Sequence, residues 1–442
     1  MLVKEKMPPV YYIQQDYLQF TYGIYILERN GFMPTNQQWY DRLENTMAWG
    51  SSTSSKSARL LPEEPTVMTR GKGCRTWDAD GREFIDFKCG LGPVTLGYCF
   101  PAVNDAIKAQ LENGIVFSTP TALECEVSEM LCDIIPCAEQ AKFLKTGGEA
   151  CAACIRLARA YTGRDHIIQI GYNGWLNVLG SGARILPSQA TVATNRLPGV
   201  PECVSNLFHT AGWGDEKTIS ELFDEFDGKI AAVIVSMGYP NPEIGKTFYP
   251  FLRQITEKNG ALLIYDEIVT GFRVALGGVQ EYFGVKPDLA VFAKGIANGM
   301  PISTYLGRRD VMQCAGRGKG VSISSTYGGE TLSLAACKAV MEVYKTQNVI
   351  EHIWAHGNYL WDKLDALFKK YNYALTMKGF PCCKAFTAAA DAKGGELDAF
   401  MRGCFANGIV LYSTSYINFS HQYSDLDEVL AKMETVLQDL TK

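Results

Sequence analysis

The chain has 442 residues, a length that calls for more than one hydrophobic core and for two or three domains. It is 47% hydrophobic and 20% charged, as an ordinary globular protein is, and its net charge of −5 argues against nucleic acid or an anionic membrane surface as the main partner. No apolar run is long enough to span a bilayer, and "MLVKEKMPPVYYIQQDYLQF" lacks the unbroken apolar core of a signal peptide, so a cytoplasmic protein is expected.

Residues 1 to about 50 are aromatic-rich and irregularly patterned, and read as an N-terminal extension of one or two helices. "GSSTSSKS" (50–57) follows as a linker or turn. Asp80-Gly81 is a hairpin signal between strands at 76–78 and 83–87. Hydrophobic periodicity then predicts helices over 101–113 and 121–135, a strand over 141–145, a helix over 148–162 and a strand over 166–170. Further on come strands over 230–236, 261–265 and 289–293, with helices over 247–258 and 329–346. "IAAVIV" and "ALLIY" are continuously apolar, as strands buried on both faces are, which points to an α/β fold with a mostly parallel sheet between helices. The last hundred residues open with a helix over 348–371 and close with "SDLDEVLAKMETVLQDL". There Leu426, Val429, Leu430, Met433, Val436 and Leu437 recur at helical spacing. The expected division is an extension over 1–50, part of a small α+β domain over 51–100, a large domain over 101–345 and the rest of the small domain over 346–442.

Fourteen cysteines are scattered through apolar segments. Cys151 and Cys154 form a C-x-x-C among helix formers, without a second pair at zinc spacing, and read as small, buried, reduced thiols. His352 and His356 stand four apart in "EHIWAH" with no carboxylate between them, and read as helix surface rather than a metal site.

In parallel sheets ligands bind at the carboxyl ends of strands. After "AKFLK" comes Thr146-Gly147-Gly148-Glu149-Ala150, opening a helix whose first-turn N–H groups suit a phosphate. After "DHIIQI" comes Tyr172 between glycines, an aromatic able to stack on a flat ligand. After "GALLIY" come Asp266 and Glu267, and after "DLAVFA" comes Lys294, whose desolvated amine would be nucleophilic toward carbonyls. Each has a plainer reading: a strand-to-helix turn, a turn aromatic, a surface turn, a lysine snorkelling to solvent. Together they are the set that pyridoxal phosphate needs: an amine, an acid for the ring nitrogen, an anion site and flat surfaces.

From about residue 50 onward the chain resembles the class III, fold-type I aminotransferases, nearest the glutamate-1-semialdehyde aminomutase branch. The resemblance lies in "RGKGCRTWDADGREFIDF", "FLKTGGEACAACIRLARAYTGR", "GALLIYDEIVTGFR", "PDLAVFAKGIANGMPIS" and "STYGGETLSLAA", in the family's order. It implies Lys294 as the Schiff-base lysine, Asp266 as partner of the pyridinium nitrogen, and Ile268 and Tyr172 on the two ring faces. It also implies Gly147 and Gly148 at the phosphate, and Thr326 reaching the phosphate of a neighbouring subunit in a homodimer. Arg59 lies where the aminomutase branch places a substrate-binding arginine. No metal is implied. The chain departs from the pattern at Asn173, where Tyr-His-Gly is usual, and at Ser236-Met237, where Glu-Pro is usual. The aminomutase's glycine run after the lysine is replaced by "GIANGMPIS", and no C-terminal substrate arginine is evident. The expected activity is ping-pong transfer of an amino group from a small amino donor to a carbonyl acceptor. The alternative is an intramolecular aminomutase of the glutamate-1-semialdehyde 2,1-type.

Overall fold

The structure, a computed structural model, describes residues 34–57, 61–176, 199–316, 318 and 320–442. Their contacts divide the chain into two compact units: residues 1–70 with 76–83, and residues 71–75 with 84–442. No helix among the described residues is long and apolar enough to cross a membrane.

In the first unit, helix α1 (Asn36–Thr46) starts at Thr35, whose hydroxyl accepts from Gln38 N at 3.3 Å while the Gln38 side chain accepts from Thr35 N at 2.9 Å. Asn36 donates to Asp80 through its backbone and its side chain, each at 2.9 Å. The predicted turn is present. Gly81 takes a positive φ of 80°, and Asp78 accepts from Arg82 N at 2.9 Å and Arg82 Nε at 2.7 Å. Strands β1 (Met68–Lys72), β2 (Arg75–Asp78) and β3 (Glu83–Asp86) follow in the sequence, each with residues in both units. The rest of the expected N-terminal extension, residues 1–33, lies outside the described residues, as does Arg59.

The second unit is built on a seven-stranded sheet. Its strands are β4 (Gln140–Leu144), β5 (His166–Ile170), β6 (Phe208–Ala211), β7 (Ile230–Val235), β8 (Leu262–Asp266), β9 (Leu289–Phe292) and β10 (Ser303–Gly307). They lie in the order β4-β10-β9-β8-β7-β5-β6. β6, β5, β7, β8 and β9 run parallel, and every residue of β7, β8 and β9 is buried, as their unbroken apolar runs predict. β10 is antiparallel to both neighbours. Only residues 293–302 separate it from β9, too few for the crossover that a parallel pairing requires. Helices α2 (Pro101–Leu111), α3 (Ala122–Ile134), α4 (Gly147–Thr162), α5 (Glu216–Glu225) and α6 (Gly245–Lys258) accompany the sheet. α4 buries Ala150, Cys151, Cys154, Leu157 and Ala158 in one core with Ala232, Ile264 and Val291. Because β4, β5, β7, β8 and β9 point the same way, the residues that follow them gather at one end of the sheet.

Beyond α7 (Val279–Phe283) and α8 (Thr331–Thr346), helix α9 (Val349–Lys370) leads into the antiparallel sheet β11-β12-β14. Its strands are β11 (Leu375–Phe380), β12 (Cys383–Ala388) and β14 (Thr414–Tyr416). α10 (Glu396–Ala406), β13 (Ile409–Val410) and α11 (Tyr423–Leu440) complete this region, and Ile409 pairs with Ile85 in parallel. The reading of His352 and His356 as helix surface is corrected here. His356 is buried, the two rings stack 3.7 Å apart, and His356 also stacks on Tyr423 at 4.1 Å. The cysteine reading needs a smaller correction: all fourteen are free, but Cys99, Cys125 and Cys203 are exposed.

α9 meets the β11–β12 turn at a glycine. A Cβ on Gly357 would stand 2.1 Å from the carbonyl oxygen of Pro381, the same oxygen that accepts from Trp361 Nε1 at 3.0 Å. Alanine is the better helix former by about 1 kcal/mol, yet Gly357→Ala must push the turn away. It is expected to lower the urea unfolding free energy by about 1–3 kcal/mol. A stabilised variant would show that the turn yields freely.

Candidate active site

Asp266 ends β8 with its carboxylate 6% exposed. Its Oδ1 accepts from Ile268 N at 3.1 Å, and its Oδ2 from Asn173 Nδ2 at 3.1 Å and from the Cys151 thiol at 3.7 Å. Burial pushes its pKa up to about 6, against the pull of the Ile268 N–H, the Asn173 amide, the Lys294 ammonium and the Cys151 thiol. Lys294 follows β9 with φ +46°, a left-handed conformation rare for a side-chain-bearing residue and characteristic of functional positions. The loop that carries it is pinned by Asn298, which accepts from Leu96 N and donates to Gly97 O, both at 2.9 Å.

α4 opens beside this pair. Thr146 and Glu149 cap each other: the Thr146 hydroxyl accepts from Glu149 N at 3.3 Å, and the Glu149 carboxylate from Thr146 N at 2.8 Å. Of the first-turn donors this leaves the N–H groups of Gly147 and Gly148 for an anion. Gly147 and Gly174, rather than Gly148, are the tight positions. A Cβ on Gly147 would stand 2.3 Å from Ile268 Cδ1, and one on Gly174, itself at φ +92°, would stand 2.9 Å from Gly148 Cα. Tyr172, two residues past β5, is 51% exposed; burial pushes the pKa of its hydroxyl up, and the nearby Asp266 carboxylate pushes it up further.

The structure therefore brings Asp266, Ile268, Gly147, Gly148, Tyr172 and Lys294 to one end of the sheet. Thr326 stands exposed on the loop before α8. That loop borders a cleft of about 470 Å³ along the edge of β4, lined by Glu124, Phe143, Leu144, Tyr305, Ser325 and Gly328. A partly buried bridge from Lys145 Nζ to Glu330 at 2.7 Å ties the loop to the end of β4, and Glu330 caps α8 by accepting from Leu332 N and Ser333 N.

Two residues of the motif have roles that the sequence did not disclose. Successive strand residues face opposite ways, so Glu267 points away from Asp266 into the protein. There it accepts from the Thr270 hydroxyl, from Val279 N at 2.8 Å and from Gln280 N at 3.1 Å. Burial pushes its pKa up to about 7. A Cβ on Gly278 would fall 2.1 Å from its Oε2, so the glycines at 277–278 were the available signal. Arg273 is 1% exposed; it donates to Gly92 O and, at 3.2 Å, to Val269 O, and its guanidinium lies 4.6 Å from the Tyr416 ring centre.

The family pattern described as Aminotransferase class-III matches residues 57–437. Glutamate-1-semialdehyde 2,1-aminomutase of Persephonella marina is 31% identical over 91% of this chain and 98% of its own length. The FumI protein of Sphingopyxis sp. MTA144, solved in its PLP internal aldimine form, superposes with a TM-score of 0.81 at 25% identity, over 92% of this chain and 96% of that one. An omega-transaminase from Sphaerobacter thermophilus shares the fold with a TM-score of 0.82 at 22% identity, over 91% and 97% of the two chains.

A buried acid with a raised pKa links stability to pH. In protein stripped of cofactor, Asp266 keeps its proton to about pH 6, whereas in the unfolded chain it loses it near pH 3.9. Between those values the unfolded state binds fewer protons, so this group's contribution to stability falls as pH rises. Asp266→Asn has no such slope. Its unfolding free energy relative to wild type should climb by about 2 kcal/mol from pH 4 to pH 7 in urea titrations. A difference that stays flat with pH would mean that Asp266 titrates as an exposed acid.

Proposed function

The chain belongs to the class III aminotransferases, whose cofactor is pyridoxal phosphate, and on that premise we propose that it transfers an amino group from a small amino donor to a carbonyl acceptor in a ping-pong cycle. The observation that carries the reading is the meeting of a buried Asp266, a left-handed Lys294 and the Gly147–Gly148 turn at one end of the sheet. These residues fit the cofactor: the cradle is one that a Cβ at Gly147 or Gly174 would fill, and the buried carboxylate calls for a cation. When bound, pyridoxal phosphate supplies a carbonyl carbon that takes the amino group and a ring that takes up the electrons of the broken C–H bond.

The protein's own groups do the rest. Gly147 and Gly148 offer backbone N–H groups to the phosphate. Ile268 and Tyr172 would flank a flat ring held there. Asp266 would hold a proton on its ring nitrogen, keeping the ring electron-withdrawing. Lys294 is the amine that would hold the cofactor's carbonyl carbon, and the group that would carry a proton to and from the substrate's amine-bearing carbon. Thr326 serves the phosphate of a partner subunit in a homodimer. That reading is supported by its exposure beside the β4 cleft, and by the exposed Ile115, Val116 and Phe117 on the segment to which Thr331 N bonds at Ile115 O (2.9 Å).

The second reading is an intramolecular aminomutase, favoured by the name that curated relatives at 30–31% identity carry. Intermolecular transfer is preferred because a mutase must retain its intermediate. This chain replaces the aminomutase's glycine run by "GIANGMPIS" and alters the pocket at Asn173 and at Ser236-Met237.

Borohydride reduction of the holoenzyme followed by peptide mapping should find the cofactor on Lys294, and Lys294→Ala should lose turnover. Label on another lysine would overturn the assignment. One amino donor should bleach the resting absorbance and release one free carbonyl product per site; the absorbance should stay lost until an acceptor is added, which should restore it. Many turnovers of a single substrate into its isomer, with no free carbonyl, would establish the mutase instead.

A further inference from the structure

Cys151 and Asn173 reach the same oxygen of Asp266 from two different elements. Cys151 lies in the first turns of α4, two residues past the capping box, and Asn173 lies in the turn after β5. Both are 0% exposed. The thiol lies 3.7 Å and the amide nitrogen 3.1 Å from Oδ2, while Oδ1, among the described residues, receives the Ile268 N–H at 3.1 Å. A carboxylate has about four acceptor sites, two on each oxygen. Oδ2 is therefore filled by two side-chain donors, and Oδ1 retains room for one more.

We propose that Cys151 and Asn173 are positioning residues that clamp Oδ2 of Asp266, fixing the rotation of its carboxylate and reserving Oδ1 for the ring nitrogen of the cofactor. The proposal rests on the reading of Asp266 given above and assigns its orientation to two side chains outside the catalytic pair. The chemistry of the two donors suits the task. An amide cannot ionise, and a thiol in so apolar a setting keeps its proton, because burial and the adjacent carboxylate both disfavour the thiolate. Neither brings a charge that would compete with Lys294 or with a ring-nitrogen cation for Asp266. The helix supplies the rigidity: Cys151 sits in the same core as Ile264 and Val291 of the strands flanking the site, so it cannot swing away. A sulfur donor is also long and weak compared with a hydroxyl, so it steers the oxygen without drawing it out of line with Asn173.

The test uses the full-length protein in two arms. In the first, cofactor dissociation constants are measured by equilibrium dialysis for wild type, Cys151→Ala, Cys151→Ser and Asn173→Ala. Each alanine variant should bind about tenfold more weakly, as loss of one hydrogen bond to a charged group implies. Serine should recover wild-type affinity to within about threefold because a hydroxyl restores the donor. In the second arm, the Cys151 S–H stretch is isolated in cofactor-free protein as the infrared difference between wild type and Cys151→Ser. It should lie below the S–H stretch of Cys337, a buried thiol whose ionisation is governed by burial alone, and should move when Asp266→Asn removes the carboxylate. Alanine variants that bind as wild type does, or a Cys151 stretch that Asp266→Asn leaves unmoved, would overturn the clamp. If wild type takes up no cofactor, the cofactor reading of Asp266 fails, and the infrared arm alone decides whether the thiol holds this carboxylate.

Discussion

A charge at the end of a buried strand organises this molecule. An isolated carboxylate held away from water costs several kcal/mol unless it is met by donors or a cation, and Asp266 lies in that position at the end of β8. The surrounding elements answer it: a backbone N–H one turn on, an amide from the loop after β5, a thiol from α4, and the Lys294 ammonium from the strand next door. These donors do not cancel the cost, since burial still holds the acid up to about pKa 6. A carboxylate left under-compensated in this way favours a further positive group beside it, which is the property a pyridine nitrogen exploits.

The parallel sheet makes that convergence possible, and close backbone contacts hold it. Parallel strands deliver their carboxyl ends to one side, so the segments that follow four of them meet there. Once they meet, side chains are in the way. Gly147 must be glycine for Ile268 to pack, and Gly174 must be glycine for its loop to lie on Gly148. Glu267 extends the principle behind the strand, where it uses its own carboxylate to hold the 278–280 turn. Two adjacent acids thus serve opposite faces, one toward the end of the sheet where Lys294 lies and one toward the scaffold.

Much of this was legible in the chain. The continuous apolar runs of β7, β8 and β9 and the 3.6-residue periodicity of α9 and α11 are strong local signals, and they place Asp266 and Lys294 at strand ends. β6 (FHTA) and β10 (STYLG) were not seen, since each is short and polar enough to pass for loop, and only pairing with neighbours makes it a strand. α5 falls among charged residues, and its apolar side is recognisable mainly by the burial of Ile219 and Phe223. The histidines of α9 were misread for a related reason. Spacing tells which residues share a helix face, but not that the face is covered by Phe419, His421 and Tyr423 from near the C-terminus. Partnership across long sequence separations, such as Cys151 with Asp266 or Arg273 with Tyr416, leaves no local trace.

The 266–273 segment joins the reacting end to the C-terminal region. It begins with a buried anion and ends with a buried cation that do not neutralise each other. Arg273 spends its charge on the carbonyls of Gly92 and Val269 and on the face of Tyr416. Tyr416 in turn pairs with Cys383 across β12–β14 and donates its N–H to Phe87 O at 2.8 Å. A rearrangement at β14 would therefore reach the backbone at Val269, one residue from the Ile268 whose N–H holds Asp266 and whose side chain fills the hollow over Gly147. Packed cores shift between discrete arrangements rather than bending continuously. A change in the loops around Gly92 and Tyr416 is thereby coupled, through Arg273, to the contact between Ile268 and Asp266.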